Sequence, residues 1–254
     1  VKMNNLDGVT IYAEGATITQ NGENPIIFTS NGSTASNITI IGGTWNAGAV
    51  DLPAFRFYGN AQNITLSNLA VKNSLNAGIR FKESSNVTLA NVISSENGGY
   101  GVVFENVAGV NVSNSAFSKS TSGVAFKSCT GDLSVTFTDC TNNSESGILV
   151  TDCPQITIND CNLNKNEGGL RISGATGKIS LSRNNMKNNA GMGIRIFDCT
   201  GDVAYSKNYA YDNGKTGISM ENCTGVVSLY RVNAKRNGDC GFTVTKSTNI
   251  KINK

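Results

Sequence analysis

Two carboxylates, Asp139 and Asp160, stand at what reads as one position of a repeat, each directly before a cysteine, Cys140 and Cys161. Paired carboxylates about 5 Å apart suit retaining glycoside hydrolysis. Two like charges so close also push one of the pair's pKa values upward. Against that chemistry, later equivalents of the column hold Arg183, Lys207 and Arg231, so a mixed charge ladder at a solvent-facing turn is the competing reading. A second set is cationic. Arg56, Arg80, Arg171 and Arg195 are the middle, outward residues of short apolar triplets, and Lys82 follows one of them. Together they form either a groove for an acidic polysaccharide or a solubilising stripe that protects a sheet edge. The chain has no histidine. It shows no phosphate loop, no metal-ligand spacing and no nucleophile elbow. No catalytic, metal or cofactor site is therefore assigned, and the expectation is a chain that is not an enzyme and needs no cofactor.

The elements that position these residues recur with a fixed period. Ala54, Gly78, Gly101, Gly123, Gly147, Gly169, Gly193, Gly217 and Gly241 follow one another at 22–24 residues. Each precedes a triplet such as Ile79-Arg80-Phe81 or Ile194-Arg195-Ile196, apolar at its first and third positions. That alternation is a strand with one face turned inward. A second triplet follows in each repeat, Ile64-Thr65-Leu66 or Ile179-Ser180-Leu181, with Val135-Thr136-Phe137 taken as its equivalent in the repeat that begins at Gly123. A weaker third segment carries residues such as Leu69, Leu163 and Met186. A period of this length with two or three short strands is a solenoid signature. The leucine ladder of leucine-rich repeats is missing. The expected fold is all-β: a right-handed parallel β-helix of about 10 coils, the hand following from the usual crossover rule. Residues 1–254 read as one domain. Residues 1–53 are irregular, with an insertion at 46–53 beside the single tryptophan, Trp45, and residues 54–254 are regular.

Composition agrees. Charged residues are 15% of 254 and the net charge is +3. That charge is too small to point to nucleic acid, and the excess of Lys and Arg beyond Leu170 reads as a solvated face. No apolar segment approaches the roughly 18 residues of a membrane span. The residues contain no signal peptide, which fits a mature chain whose leader has been removed.

Within a solenoid, equivalent positions stack into ladders. Asn37, Asn63, Asn86 and Asn111 are expected to form one, their amides bonding to one another beside the second strand. All four are also glycosylation sequons, as are Asn31, Asn142 and Asn222. Cys129, Cys153, Cys199 and Cys223 each lie six residues after a leading glycine, and Cys140 and Cys161 are assigned to a second column. Adjacent coils bring Cα atoms to about 4.8 Å, inside the disulfide range of about 4.4–6.8 Å. The pairs Cys129–Cys153, Cys140–Cys161 and Cys199–Cys223 are thus candidate bridges, with a ladder of buried thiols as the alternative. Cys240 is left over, either a plain thiol or a link to another subunit.

This repeat, with Gly-Ile or Gly-Val before the first strand and Asn-x-Thr/Ser turns before the second, resembles the right-handed parallel β-helix repeat proteins. These include pectin-degrading enzymes and many surface proteins of methanogenic archaea. The Asn-rich, His-free composition resembles the surface proteins more, a fibrous cell-sheath subunit among them. The resemblance implies a non-enzymatic extracellular structural protein that self-assembles into a sheath, coat or filament. Its partners would be other copies of itself and cell-wall polysaccharide, with no nucleic acid. The alternative is a polysaccharide-binding or polysaccharide-degrading β-helix.

Overall fold

The computed structural model describes residues 1–253. Its strands pair in parallel throughout, coil on coil, and no helix is present among the described residues. The chain is an all-β right-handed parallel β-solenoid of about 10 coils.

Three strips of sheet run along it. The first has ten strands, from Ile27–Phe28 through Phe55–Tyr58, Ile79–Lys82, Ser146–Thr151, Gly168–Ser173 and Ile194–Phe197 to Phe242–Thr245. The second runs from Leu6–Asp7 to Ile250–Asn253. In the N-terminal half the second and third strips are continuous, because Asn60–Lys72 and Ser85–Ser95 pass through both. In the C-terminal half the third strip separates into Asn185–Lys187, Tyr209–Tyr211 and Asn233–Lys235. Period-two alternation accounts for the short strands: Phe55–Tyr58, Ile79–Lys82 and Ile179–Ser182 each bury every other residue.

The inward residues stack as ladders. Phe57, Phe81, Phe104 and Phe126 lie ring on ring, with centroids 5.1, 5.4 and 5.1 Å apart. The leading glycines stack too. A methyl group on Gly123 would lie 2.7 Å from the carbonyl oxygen of Gly147, so that column excludes side chains.

Coils turn where a residue adopts left-handed backbone. Asn37, Asn63 and Asn86 have φ of 54°, 54° and 53°. Their amides form the expected ladder: Asn63 Nδ2 donates to Asn37 Oδ1 at 2.9 Å and Asn86 Nδ2 to Asn63 Oδ1 at 3.1 Å. Asn111 is not in it. Gly109 holds the next position, also left-handed, while Asn111 pairs with Thr88 inside the strand Ala108–Ser113. The turn geometry selects the residue, and an extended strand position cannot supply it.

A second correction concerns the coil after Gly123. Its inward pair on the second strip is Leu133 and Val135, matched to Val110 and Val112, not Val135 and Phe137. Phe137 is the left-handed turn residue and stands 63% exposed. Leu133-Ser134-Val135-Thr136-Phe137 offers apolar residues at three alternate positions, so two frames satisfy the pattern. A register shift between Ala108 and Val110 decides between them.

Candidate functional site

The outward column of the first sheet runs Arg56, Arg80, Val103, Ala125, Leu149, Arg171, Arg195. Three apolar residues therefore divide the expected arginine stripe into two pairs. The N-terminal pair is committed internally. Arg56 lies between the rings of Phe28 and Tyr58, and Arg80 forms a forked pair with Glu105 at 3.0 Å. Lys82 meets Glu83 at 3.6 Å.

The C-terminal pair faces an open groove of about 640 Å³. Leu149, Met192 and Phe197 supply its apolar surface, while Glu145, Glu167 and Lys215 stand at its wall. Arg195 lies 4.4 Å over the ring of Phe197 and 3.3 Å from Glu221. Arg171 lies 5.1 Å over the same ring and, among the described residues, has no carboxylate partner. Ser146 is registered with Gly168, so Glu145 and Glu167 stand side by side on adjacent coils. The Glu167 carboxylate reaches toward the following coil, where a methyl group on Gly191 would lie 2.6 Å from its Oε1. An unpaired guanidinium takes a carboxylate through two parallel hydrogen bonds. The carboxylates accept hydrogen bonds from hydroxyls, or a proton.

Asp139 and Asp160, the carboxylates expected to pair, are not brought together by the fold. Asp139 is bridged to Asn162. Asp160 sits one coil below Arg183, whose Nε and Nη2 donate to its two carboxylate oxygens at 2.7 Å each. That ion pair holds the Asp160 carboxyl below its ordinary value. Because Val135 pairs with Val112 and Ile158, Phe137 falls at the turn and Asp139 stands two residues beyond the column of Asp160. Glu145, Glu167 and Lys215 were legible in principle: each stands two residues before a leading glycine. Trp45 is no sugar platform: it is buried, its indole N–H donates to the Gly42 carbonyl at 3.0 Å, and its ring packs against Phe55.

All seven cysteines are thiols, six buried and Cys240 exposed. Cys129 and Cys153 are in register, and the Cys129 backbone N–H donates to Cys153 Sγ at 3.3 Å. Cys199 and Cys223 are likewise two residues beyond the paired Phe197 and Glu221. Their thiols donate to backbone carbonyls, Cys199 to Phe197 at 3.2 Å and Cys223 to Glu221 at 3.5 Å. Cys140 and Cys161 are not in register. Cys140 falls in the column of Phe117, and Cys161 lies two residues out of that column. Such diagonal neighbours are about 7–8 Å apart, beyond disulfide reach. Peptide mapping without reductant after mild oxidation is expected to give Cys129–Cys153 and Cys199–Cys223 bridges and none between Cys140 and Cys161. A Cys140–Cys161 peptide would refute the register.

The family model described as "Right handed beta helix region" matches residues 3–141 and 101–254. No curated protein matches the chain. Among solved structures, the periplasmic alginate epimerase AlgG is 13% identical, with a TM-score of 0.66 over 96% of this chain and 68% of that one. The pectate lyase Pel9A is 13% identical, TM-score 0.58, over 90% of this chain and 72% of that one. The mannuronan C-5 epimerase AlgE4 A-module of Azotobacter vinelandii is 14% identical, TM-score 0.52, over 96% and 81%. At these identities the likeness is one of fold. It overturns the expectation that the chain is not an enzyme. Polysaccharide-modifying enzymes are built on this same solenoid over nearly its whole length, so the fold gives no ground for excluding an enzyme.

Proposed function

The chain belongs to the right-handed β-helix family, and from that premise we propose that it binds an acidic polysaccharide in the Arg171–Arg195 groove and modifies it there. One observation carries the reading: the guanidinium of Arg171, free of any carboxylate partner among the described residues, lies in an open groove that Glu145 and Glu167 also line. The names alginate, mannuronan and pectate in the matched structures denote acidic polysaccharides, which supports the same class of ligand. The self-assembling sheath has no comparable observation behind it.

Arg171 neutralises a sugar carboxylate, and that makes the adjacent C–H more acidic. Glu145 or Glu167 is placed to receive the proton. Epimerisation and β-elimination both begin with that step. A location outside the cytoplasm fits a polymer substrate and the periplasmic setting named for AlgG.

The test uses the intact chain with alginate and with pectate. Arg171→Ala/Arg195→Ala should weaken binding about 10-fold or more, since each charge-assisted pair contributes about 1.5–3 kcal/mol. Glu167→Gln should retain binding and abolish formation of unsaturated or epimerised product. Unchanged binding in the arginine double variant would sink the proposal.

A further inference from the structure

We propose that the outer face of the third sheet is a second docking surface for the same acidic polysaccharide, holding the part of the chain that runs past the groove. The proposal rests on the acidic-polysaccharide reading.

The face is built from matched columns on the coils that form the groove. Asn185, Tyr209 and Asn233 are in register, and so are Lys187, Tyr211 and Lys235. Along one side runs a left-handed turn column, Arg183, Lys207 and Arg231. Two of the face's cations are already satisfied: Arg183 by Asp160 at 2.7 Å and Arg236 by Asp212 at 2.6 Å. Among the described residues, Lys187, Lys207, Arg231 and Lys235 have no ion-pair partner. They flank Tyr209, 40% exposed, whose ring meets Tyr211 edge to face at 5.8 Å. The result is two cationic rails around a strip of phenol and amide groups. The short turn from Asp212 to Lys215 joins this face to the groove, where Lys215 is a wall residue.

The chemistry favours a sugar chain. Lys207 and Arg231 stand on successive coils, about 4.8 Å apart along the axis, and Lys187 and Lys235, with Tyr211 on the coil between them, about twice that. An extended polyuronate carries one carboxylate per sugar, a repeat of similar length. The Asn233 amide and the Tyr209 hydroxyl suit sugar hydroxyls. Single-stranded nucleic acid binds best where successive bases stack on successive aromatic rings. Here the two tyrosines belong to one coil and meet edge-on, so they give no stacking series.

The experiment compares polymeric pectate and alginate with tetramers of the same sugars. A tetramer fills the groove alone, whereas a polymer reaches both surfaces and gains avidity. In Lys187→Ala/Lys207→Ala/Lys235→Ala the advantage of polymer over tetramer should fall about 10-fold, consistent with loss of a linked second contact. Circular dichroism of each variant confirms the fold. An undiminished polymer advantage overturns the inference. Loss of tetramer binding alone in Arg171→Ala/Arg195→Ala bears on the groove and leaves this face standing. If the wild type binds polymer but not tetramer, and the triple variant loses the polymer, the groove reading falls and this one holds. Wild type that binds neither overturns both. Retention of oligothymidine in preference to pectate, abolished by the triple variant, makes the face a nucleic-acid surface and overturns the inference.

Discussion

Gly147→Val is expected to destabilise the solenoid by about 3–5 kcal/mol, at or above the usual ceiling for overpacking a well-filled site. The first atom of a side chain at Gly147 would lie 2.7 Å from the Gly169 carbonyl oxygen, 3.0 Å from Asn166 Nδ2 and 3.1 Å from the Cys140 carbonyl oxygen. Two of these three neighbours are backbone, which cannot rotate away. To admit the side chain, the coil must separate from the next one. The bond from Gly168 N–H to the Glu145 carbonyl, 2.8 Å long, lies directly alongside. Gly168→Ala is the control. Its added methyl would meet only the Met192 carbonyl oxygen, at 3.7 Å, and its φ is not left-handed. It should cost less than about 1 kcal/mol, as a surface change without a named mechanism does. Denaturant unfolding of both variants decides the matter. Equal losses would mean that something other than coil-to-coil contact keeps glycine at the leading position of successive coils.

The same glycine column explains why the fold was legible. Each coil contacts only its neighbours, so one steric rule is written into the chain again and again, and its period survives local irregularity. The Cys129, Cys153, Ala175, Cys199, Cys223 column was legible for that reason. What failed was register inside a single coil. Leu133, Val135 and Phe137 satisfy alternation in two frames, and only the three-dimensional match to Val110 and Val112 separates them. A slip of two residues keeps the inward face inward, so no hydrophobic pattern can reveal it. It nevertheless moved Cys140 off Cys161 and Asp139 off Asp160. The groove was half legible. Arg171 and Arg195 stood out as polar residues in apolar triplets. That they differ from Arg56 and Arg80 depends on Phe28 of the preceding coil, which with Tyr58 encloses Arg56, and on Glu105 of the following coil, which pairs with Arg80.

Asn189→Ala should be nearly as damaging as the valine at Gly147, about 3–4 kcal/mol, because Asn189 belongs to a second, buried asparagine ladder. Asn143, Asn166, Asn189 and Asn213 are all within 3% of full burial. Asn189 Oδ1 accepts the backbone N–H of Asn166 at 2.9 Å, and Asn189 Nδ2 donates to Asn213 Oδ1 at 2.9 Å. Truncation leaves the Asn166 N–H without a partner in a dry site, at about 1–3 kcal/mol for an orphaned group, and adds a small cavity. Asn63→Gly, in the exposed ladder, should cost under about 1 kcal/mol, because water replaces the lost amide and glycine keeps the left-handed turn. Asn189→Asp sharpens the test. The neutral acid can donate to Asn213 Oδ1 as the amide does, whereas the carboxylate cannot. Burial raises its folded pKa above the unfolded value of about 3.9, so its stability is fully present below that value and is lost as pH rises through the folded pKa. A pH-independent stability for this variant would show that the site is wet. The turn in question carries Glu167 immediately after Asn166, and the Gly191 N–H donates to the Glu167 carbonyl. Loosening it should therefore weaken binding of an acidic chain in the groove, an effect Asn63→Gly should not share. The ladder that closes the coils is also the one that holds a carboxylate at the groove wall.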